Sequence, residues 1–280
     1  MYEIDRILIS KSKKHKSKLS LYWNSIKRKF FRKSHPKKSN FSGWGIEIYH
    51  SSPPWQNSKK KDDEIFNKIN NEILELISKN HFKLSQFDYY DANYSKVIDE
   101  LKWRHYIIFN ICNGLIKLKK NNISLVECGV CDGLTFFFAA KTLKINNIKF
   151  NGYLYDSWSK FDFKEDKDIF DYSYLNVDTV KKNLNEFKND VFFNEGNIPE
   201  IFNIAQNPKS IDFLHIDLNS DKATLDSLNF FYQKLSQGSM ILFDDYSRII
   251  SEKNVIDEFF DDKLGNFISL PTGQAIFIKY

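Results

Sequence analysis

The chain has 280 residues, 42% hydrophobic and 16% aromatic, which is enough apolar material for one large domain and excludes wholesale disorder. Its formal charge of +5 hides a division: residues 1–60 hold 15 Lys and Arg against 3 Asp and Glu, a net of +12, and the remainder hold 26 against 33, a net of −7. No run of about 18 apolar residues exists to span a membrane, the start lacks the apolar core of a secretion signal, and only three cysteines predict a reducing compartment, the cytoplasm.

In chain order, Lys11 to Asn40 is rich in Lys and Ser, with Leu19, Tyr22, Trp23, Ile26, Phe30 and Phe31 recurring at three and four residues. That spacing predicts a basic amphipathic helix. Such a helix packs on the domain or on a second copy of the chain as a homo-oligomer, or rests on an anionic membrane surface. Phe41 to Lys61, with two glycines and two prolines, reads as loop. A helix is expected over Asp62–Lys79 and another over Tyr94–Lys119. The resulting division is a basic, largely helical extension over 1–95 and a second domain over 96–280. Arg104, on the second helix, reads as a surface or helix-dipole residue.

From there short apolar runs alternate with helical stretches. The runs are Ser124–Cys128, Phe150–Tyr155, Val191–Asn194, Ile211–Ile216 and Met240–Phe243, and the helices Leu134–Leu143, Val177–Phe187, Pro199–Ile204 and Lys222–Leu235. This alternation predicts an α/β fold with parallel strands covered on both faces. Two last runs, Phe267–Leu270 and Gln274–Lys279, flank Pro271-Thr272-Gly273 and predict an antiparallel hairpin at the sheet edge.

The segment Val126–Thr135 reads VECGVCDGLT. Glycines between a strand and a helix let a ligand approach the backbone closely, and free N–H groups at the helix start attract an anion. Asp156, with Ser157, ends the next strand 27 residues beyond Gly129, where a carboxylate accepts ribose hydroxyls; Asp and Ser are also good helix caps. Gly196 and Asn197, after the third strand, lie where a loop borders an adenine ring. Asp217 ends the fourth strand and Asp244 and Asp245 the fifth. In a parallel sheet these strand ends are adjacent, and three clustered carboxylates repel unless a hard cation such as Mg²⁺ joins them. Cys128-x-x-Cys131 lacks the further ligands of a zinc site, and His215, inside a central strand, reads as a hydrogen-bonded core histidine.

The segments VECGVCDG, LYDSW, EGNIPEIF, FLHIDLNSD, QGSMILFDDY and TGQAIFIK, in this order over Leu101 to Tyr280, resemble the macrocin O-methyltransferase family of S-adenosylmethionine-dependent sugar methyltransferases. The resemblance implies a Rossmann-like, seven-stranded, mostly parallel sheet with a reversed last strand. It implies that Glu127, Gly129, Gly133 and Thr135 hold the amino-acid half of S-adenosylmethionine and Asp156 its ribose. It further implies that Asp217, Asp244 and Asp245 bind Mg²⁺, with Asp217 also a general base. The family's second strand-four aspartate is replaced here by Asn219, which can coordinate through its carbonyl oxygen but brings no charge.

The expected reaction is methylation of a hydroxyl on a sugar, a nucleotide-linked sugar or a surface-polysaccharide precursor. A nucleotide-linked acceptor suits the basic arm, since diphosphate is anionic. Two alternatives stand beside it. A nucleic-acid methyltransferase would use the arm as its grip, but the acidic cluster repels phosphates. A non-catalytic, membrane-associated module would use the segment Lys18 to Lys33.

Overall fold

Each apolar run expected to be a strand enters one seven-stranded sheet. The structure, a computed structural model, describes residues 53–56, 58–85, 94–118, 121–158, 172 and 174–280. The basic helix expected over Lys11–Asn40 and most of the loop after it lie outside the described residues. The strands are β1 (Asn122–Cys128), β2 (Lys149–Asp156), β3 (Val191–Glu195), β4 (Ile211–Ile216), β5 (Leu235–Phe243), β6 (Gly265–Ser269) and β7 (Ala275–Lys279). Their order is β3-β2-β1-β4-β5-β7-β6. Five strands run parallel, and β7 runs antiparallel to both β5 and β6. This is the Rossmann-like methyltransferase sheet with its reversed last strand.

The helices are α1 (Lys61–Ser78), α2 (Tyr94–Lys117), α3 (Leu134–Ile145), α4 (Val177–Asn183), α5 (Asp221–Phe231) and α6 (Ile250–Phe260). Strand pleating sorts side chains onto two faces. Ile123, Leu125, Phe213 and Leu242 join one core with α1 to α3, whereas Val126, Leu214, Ile216, Ile241 and Phe243 join a second with α5 and α6. β4, at the centre, is buried along its whole length. α3 is apolar almost all round, which fits a helix covered by the sheet beneath and by α1 and α2 above.

α1 buries Phe66, Ile69, Ile73 and Ile77, a spacing that presents one stripe to the core. Phe66 meets Phe109 of α2 and Phe138 of α3, with ring centroids 5.5 and 6.0 Å apart, and Tyr106 donates to the Asp63 carboxylate across α1 and α2 (2.6 Å). The division expected between residues 95 and 96 lies in the first turn of α2, a helix that packs against α1. Other differences are smaller. The helix expected over Val177–Phe187 is α4 followed by a 3₁₀ turn, and the one over Pro199–Ile204 is only a 3₁₀ turn at Glu200–Asn203. α6 has no counterpart among the expected elements. The edge hairpin forms as expected: Pro271 opens a turn in which Gly273 N–H donates to the Leu270 carbonyl (3.0 Å), with Gly273 at φ +89°. No helix among the described residues is long and apolar enough to cross a membrane.

Candidate active site

The glycine loop is shaped by close approach. Gly129 follows β1 at φ +82° and donates its N–H to the Tyr155 carbonyl of β2 (2.9 Å). A Cβ at this position would lie 1.8 Å from the main-chain oxygen of Asp217, so only glycine fits where the ends of β1 and β4 meet. Gly133, also at φ +82°, precedes α3 in a left-handed conformation with Leu184 and Val180 packed against it. Thr135 is half-buried on the first turn of α3.

Asp156 ends β2 and turns its carboxylate into that loop. Its Oδ2 accepts from the N–H of Val130 (2.7 Å) and Cys131 (2.9 Å), and its Oδ1 from Trp158 (2.9 Å). The Trp158 indole closes the ring of contacts by donating to the Cys131 carbonyl (2.9 Å). Burial pushes the Asp156 carboxyl up, and the N–H groups of Trp158, Cys131, Val130 and Ser157 pull it back. Expected to hold a ribose, Asp156 is here first the clamp of the glycine loop, with three of about four acceptor positions in use. Ser157 is buried beside it. Gly196 donates its N–H to the Asp156 carbonyl (3.0 Å), and exposed Asn197 accepts from Ile201 N–H (2.8 Å). These residues of strands two and three do come together at one corner. The thiols of Cys128 and Cys131 are pushed up by burial, which suits inert packing rather than redox chemistry.

The acidic cluster lies one strand over. Asp217 N–H donates to the Cys128 carbonyl (2.9 Å) and Asp244 N–H to that of Ile216 (3.0 Å), so both aspartates extend the parallel ladder past the strand ends. His215 stands two residues before Asp217 on the same face. Its Nδ1 meets Glu127 Oε1 of β1 at 3.2 Å, and its Nε2 lies 3.9 Å from Asp244 Oδ1. Burial lowers the imidazole, but Asp244 and Glu127 on either side raise it to about 10, so it is a cation at neutral pH. Glu127, expected with the glycine loop to hold the amino-acid half of the cofactor, is buried and meets His215.

Asp244 is fully engaged. Gln274 Nε2, at the start of β7, donates to its Oδ1 (2.6 Å). Arg104 of α2 forms an ion pair with its Oδ2 and also donates to its main-chain oxygen (3.1 Å). Burial would raise the Asp244 carboxyl, but His215, Arg104 and Gln274 together hold it down at about 2. Asp245 comes next, in the bend that follows β5, and its Oδ1 lies 3.9 Å from Arg104 Nη2. Its two oxygens each lie 3.3 Å from Arg248 Nη1. Asp217 differs from both. Among the described residues no hydrogen bond or ion pair reaches its carboxylate, and burial beside Asp244 and Asp245 holds it well above the ordinary range. Asn219, at φ +51°, donates to the Tyr172 hydroxyl (3.2 Å).

The expected Mg²⁺ site is therefore rearranged. The donor atoms that do gather within 4.8 Å belong to His215, Asp217 and Asp244, without Asp245. Asp244 already carries Gln274 and a guanidinium, and Asp245 carries Arg248. A divalent ion on Asp244 would share that carboxylate with the Arg104 guanidinium, a like charge that opposes it. The residues present do not fit the ion. Of three further contributors, Gln274 was not singled out from sequence, His215 was expected as the hydrogen-bonded core histidine it is, and Arg104 was expected on the surface or at the helix dipole, or else at an anionic group. Gln274 was findable from the β5–β7 register, which sets Ala275 against Phe243. His215 was findable from its i, i+2 relation to Asp217. Arg104 sits 140 residues from Asp244 with no local pattern to mark it.

Comparison with known proteins adds to this geometry. Residues 126–246, spanning β1 to just past β5, match a family described as "Methyltransferase domain". The curated proteins contain no sequence match. Among solved structures, the O-methyltransferase NovP is similar over 63% of this chain and 79% of its own, with 20% identity and a TM-score of 0.54. The calicheamicin methyltransferase CalS11 is similar over 85% of this chain and 98% of its own, with 12% identity and a TM-score of 0.52. A second CalS11 structure, described as a TDP-rhamnose 3′-O-methyltransferase, covers 79% and 96% with 12% identity and a TM-score of 0.48. At these identities the likeness is one of fold.

Proposed function

We propose, starting from a chain whose residues 126–246 carry a methyltransferase domain, that it is an S-adenosylmethionine-dependent O-methyltransferase acting on a sugar hydroxyl. The acceptor is a nucleotide-linked sugar or a surface-polysaccharide precursor. One observation carries the reading: Asp217, whose carboxylate has no hydrogen-bond partner among the described residues, shares a corner with Gly129 of the glycine loop. A proton acceptor thus stands beside the place where a cofactor would approach the backbone.

The chemistry asks little else of the protein. The acceptor hydroxyl gives its proton to Asp217 as its oxygen forms a bond to the methyl carbon. The carbon–sulfur bond breaks, and its electron pair stays on sulfur as the thioether of S-adenosylhomocysteine. Alignment of oxygen, carbon and sulfur supplies most of the acceleration, and a positioned base adds roughly 10²–10⁴-fold. The raised pKa of Asp217 makes it a stronger base once ionised. The +12 charge of residues 1–60 supports an acceptor carrying a diphosphate.

The test is calorimetric titration with S-adenosylhomocysteine, followed by incubation with S-adenosylmethionine and a panel of nucleotide sugars, read as the mass gain of one methyl group. Binding with methylation of a sugar hydroxyl is expected. No binding of S-adenosylhomocysteine to the folded chain sinks the reading.

A further inference from the structure

We infer that this chain performs its methyl transfer without a divalent metal, Arg104 standing at Asp244 where the ion would otherwise stand. The inference rests on the methyl-transfer reading above and concerns how the same site is charged.

Three contacts carry it. Arg104 reaches Asp244 twice, through Oδ2 and through the main-chain oxygen at 3.1 Å, and its Nη2 lies 3.9 Å from Asp245 Oδ1. One guanidinium thus spans the ends of both consecutive aspartates. Gln274 takes the other oxygen of Asp244 (2.6 Å), and Arg248 takes Asp245 (3.3 Å). Guanidinium suits carboxylate in a planar, always-charged geometry that an ammonium does not reproduce. The substitution runs through the strand-four segment as well. Asn219 carries no charge: its amide N–H goes to Tyr172 (3.2 Å), and its buried Oδ1 has no hydrogen-bond partner among the described residues. Among the described residues, Asp217 is the carboxylate at the ends of β4 and β5 that no cation or amide takes, which suits a base. With the neutral Asn219 oxygen, it leaves a single uncompensated negative charge for a hard cation.

α2 is built to hold this arginine in place. Its neighbour His105 stacks on Phe138 of α3, ring centroids 4.2 Å apart and planes 13° from parallel. Phe109, one turn further, is fully buried against α1. The Arg104 side chain is 21% exposed, shielded enough for its pairing to resist solvent. Arg104 is a positioning residue: it fixes Asp244, keeps the paired carboxylates neutralised, and leaves Asp217 to meet the acceptor.

The experiment uses the full chain and Mn²⁺ as the probe, followed by electron paramagnetic resonance, with and without S-adenosylhomocysteine. The wild type is expected to show only free Mn²⁺ at millimolar metal, and its methyl transfer to be unchanged by EDTA. Arg104→Met is expected to gain a bound Mn²⁺ signal that a second change, Asp244→Asn, removes. Arg104→Lys, keeping a cation, is expected to stay metal-free. One bound Mn²⁺ in the wild type that Asp244→Asn abolishes, or loss of turnover in EDTA restored by Mg²⁺, overturns the inference. If Arg104→Met fails to fold, the wild-type titration decides alone. The two readings fail separately: absent S-adenosylhomocysteine binding rejects the methyltransferase, whereas its binding alongside bound Mn²⁺ rejects only the metal-free site.

Discussion

Replacing Asp217 by Asn keeps the shape of the side chain and removes the proton acceptor. Turnover should fall roughly 10²–10⁴-fold with S-adenosylhomocysteine affinity nearly unchanged, a split that steady-state kinetics and calorimetry resolve together. Because burial and the neighbouring carboxylates raise this group, it ionises only above the ordinary carboxylate range. The acid limb of the kcat/KM profile should therefore lie above about pH 4 and be absent in Asp217→Asn. His215 makes a different prediction, in stability. Its folded pKa of about 10 exceeds the ordinary 6.5, so the stabilisation from Asp244 and Glu127 is complete below about pH 6.5 and is lost as the pH rises towards 10. Thermal unfolding should shift down on the alkaline side, and less steeply in His215→Gln. Gly129→Ala combines a left-handed φ with a Cβ driven into the Asp217 carbonyl. It should cost about 3 kcal/mol, read as a lower urea midpoint, and abolish S-adenosylhomocysteine binding. The need for glycine was legible from the strand–loop–helix pattern. What presses on it was not, since Asp217 lies 88 residues away in the chain.

At the level of elements, the end of β5 hands its two aspartates to two arginines. Asp244 pairs with Arg104 of α2, and Asp245, in the bend that follows, has Arg104 at 3.9 Å and Arg248 at 3.3 Å. Grouping neighbouring carboxylates by sequence leaves out such cations, of which Arg104 stands 140 residues from Asp244. Strand positions were legible because buried parallel strands are short unbroken apolar runs bounded by turn residues. α6 was not, because its apolar positions, Val255, Ile256, Phe259 and Phe260, follow an exposed Ile250 and a mixed-charge first turn. Its burial is nonetheless real: Ile256 is fully buried, and Phe260 meets Phe277 of β7 with ring centroids 4.2 Å apart. Ile256→Ala should cost about 2–5 kcal/mol, measured by chemical denaturation, while leaving the affinity for S-adenosylhomocysteine of the folded fraction close to that of the wild type.

For the molecule as a whole, the alternation of strands and helices made the fold class legible and the family resemblance implied the reversed last strand, while the extent of the folded unit is a question for experiment. Composition marks the first 60 residues as basic, but charge reports on solvation and says little about which helices share a core. Phe66, Ile69 and Ile73 are fully buried in the same cluster as Phe138 and Leu143. A fragment of residues 53–280 should therefore unfold cooperatively near the temperature of the full chain. A fragment of residues 96–280, stripped of α1, should expose that apolar face and lose cooperative unfolding. Scanning calorimetry of the two separates these outcomes, and equal melting of both would restore the boundary at residue 95.

The reversed β7 has a consequence in time as well as in space. Gln274, which steadies Asp244, comes at the head of the strand that leaves the ribosome after every other strand of the sheet. A chain ending at residue 270 carries the glycine loop, its Asp156 clamp and Asp217, yet holds Asp244 by Arg104 and His215 without Gln274 and has β5 as a raw edge. The hairpin that closes the sheet also completes the site, so a half-made chain has the parts of a catalyst without their alignment.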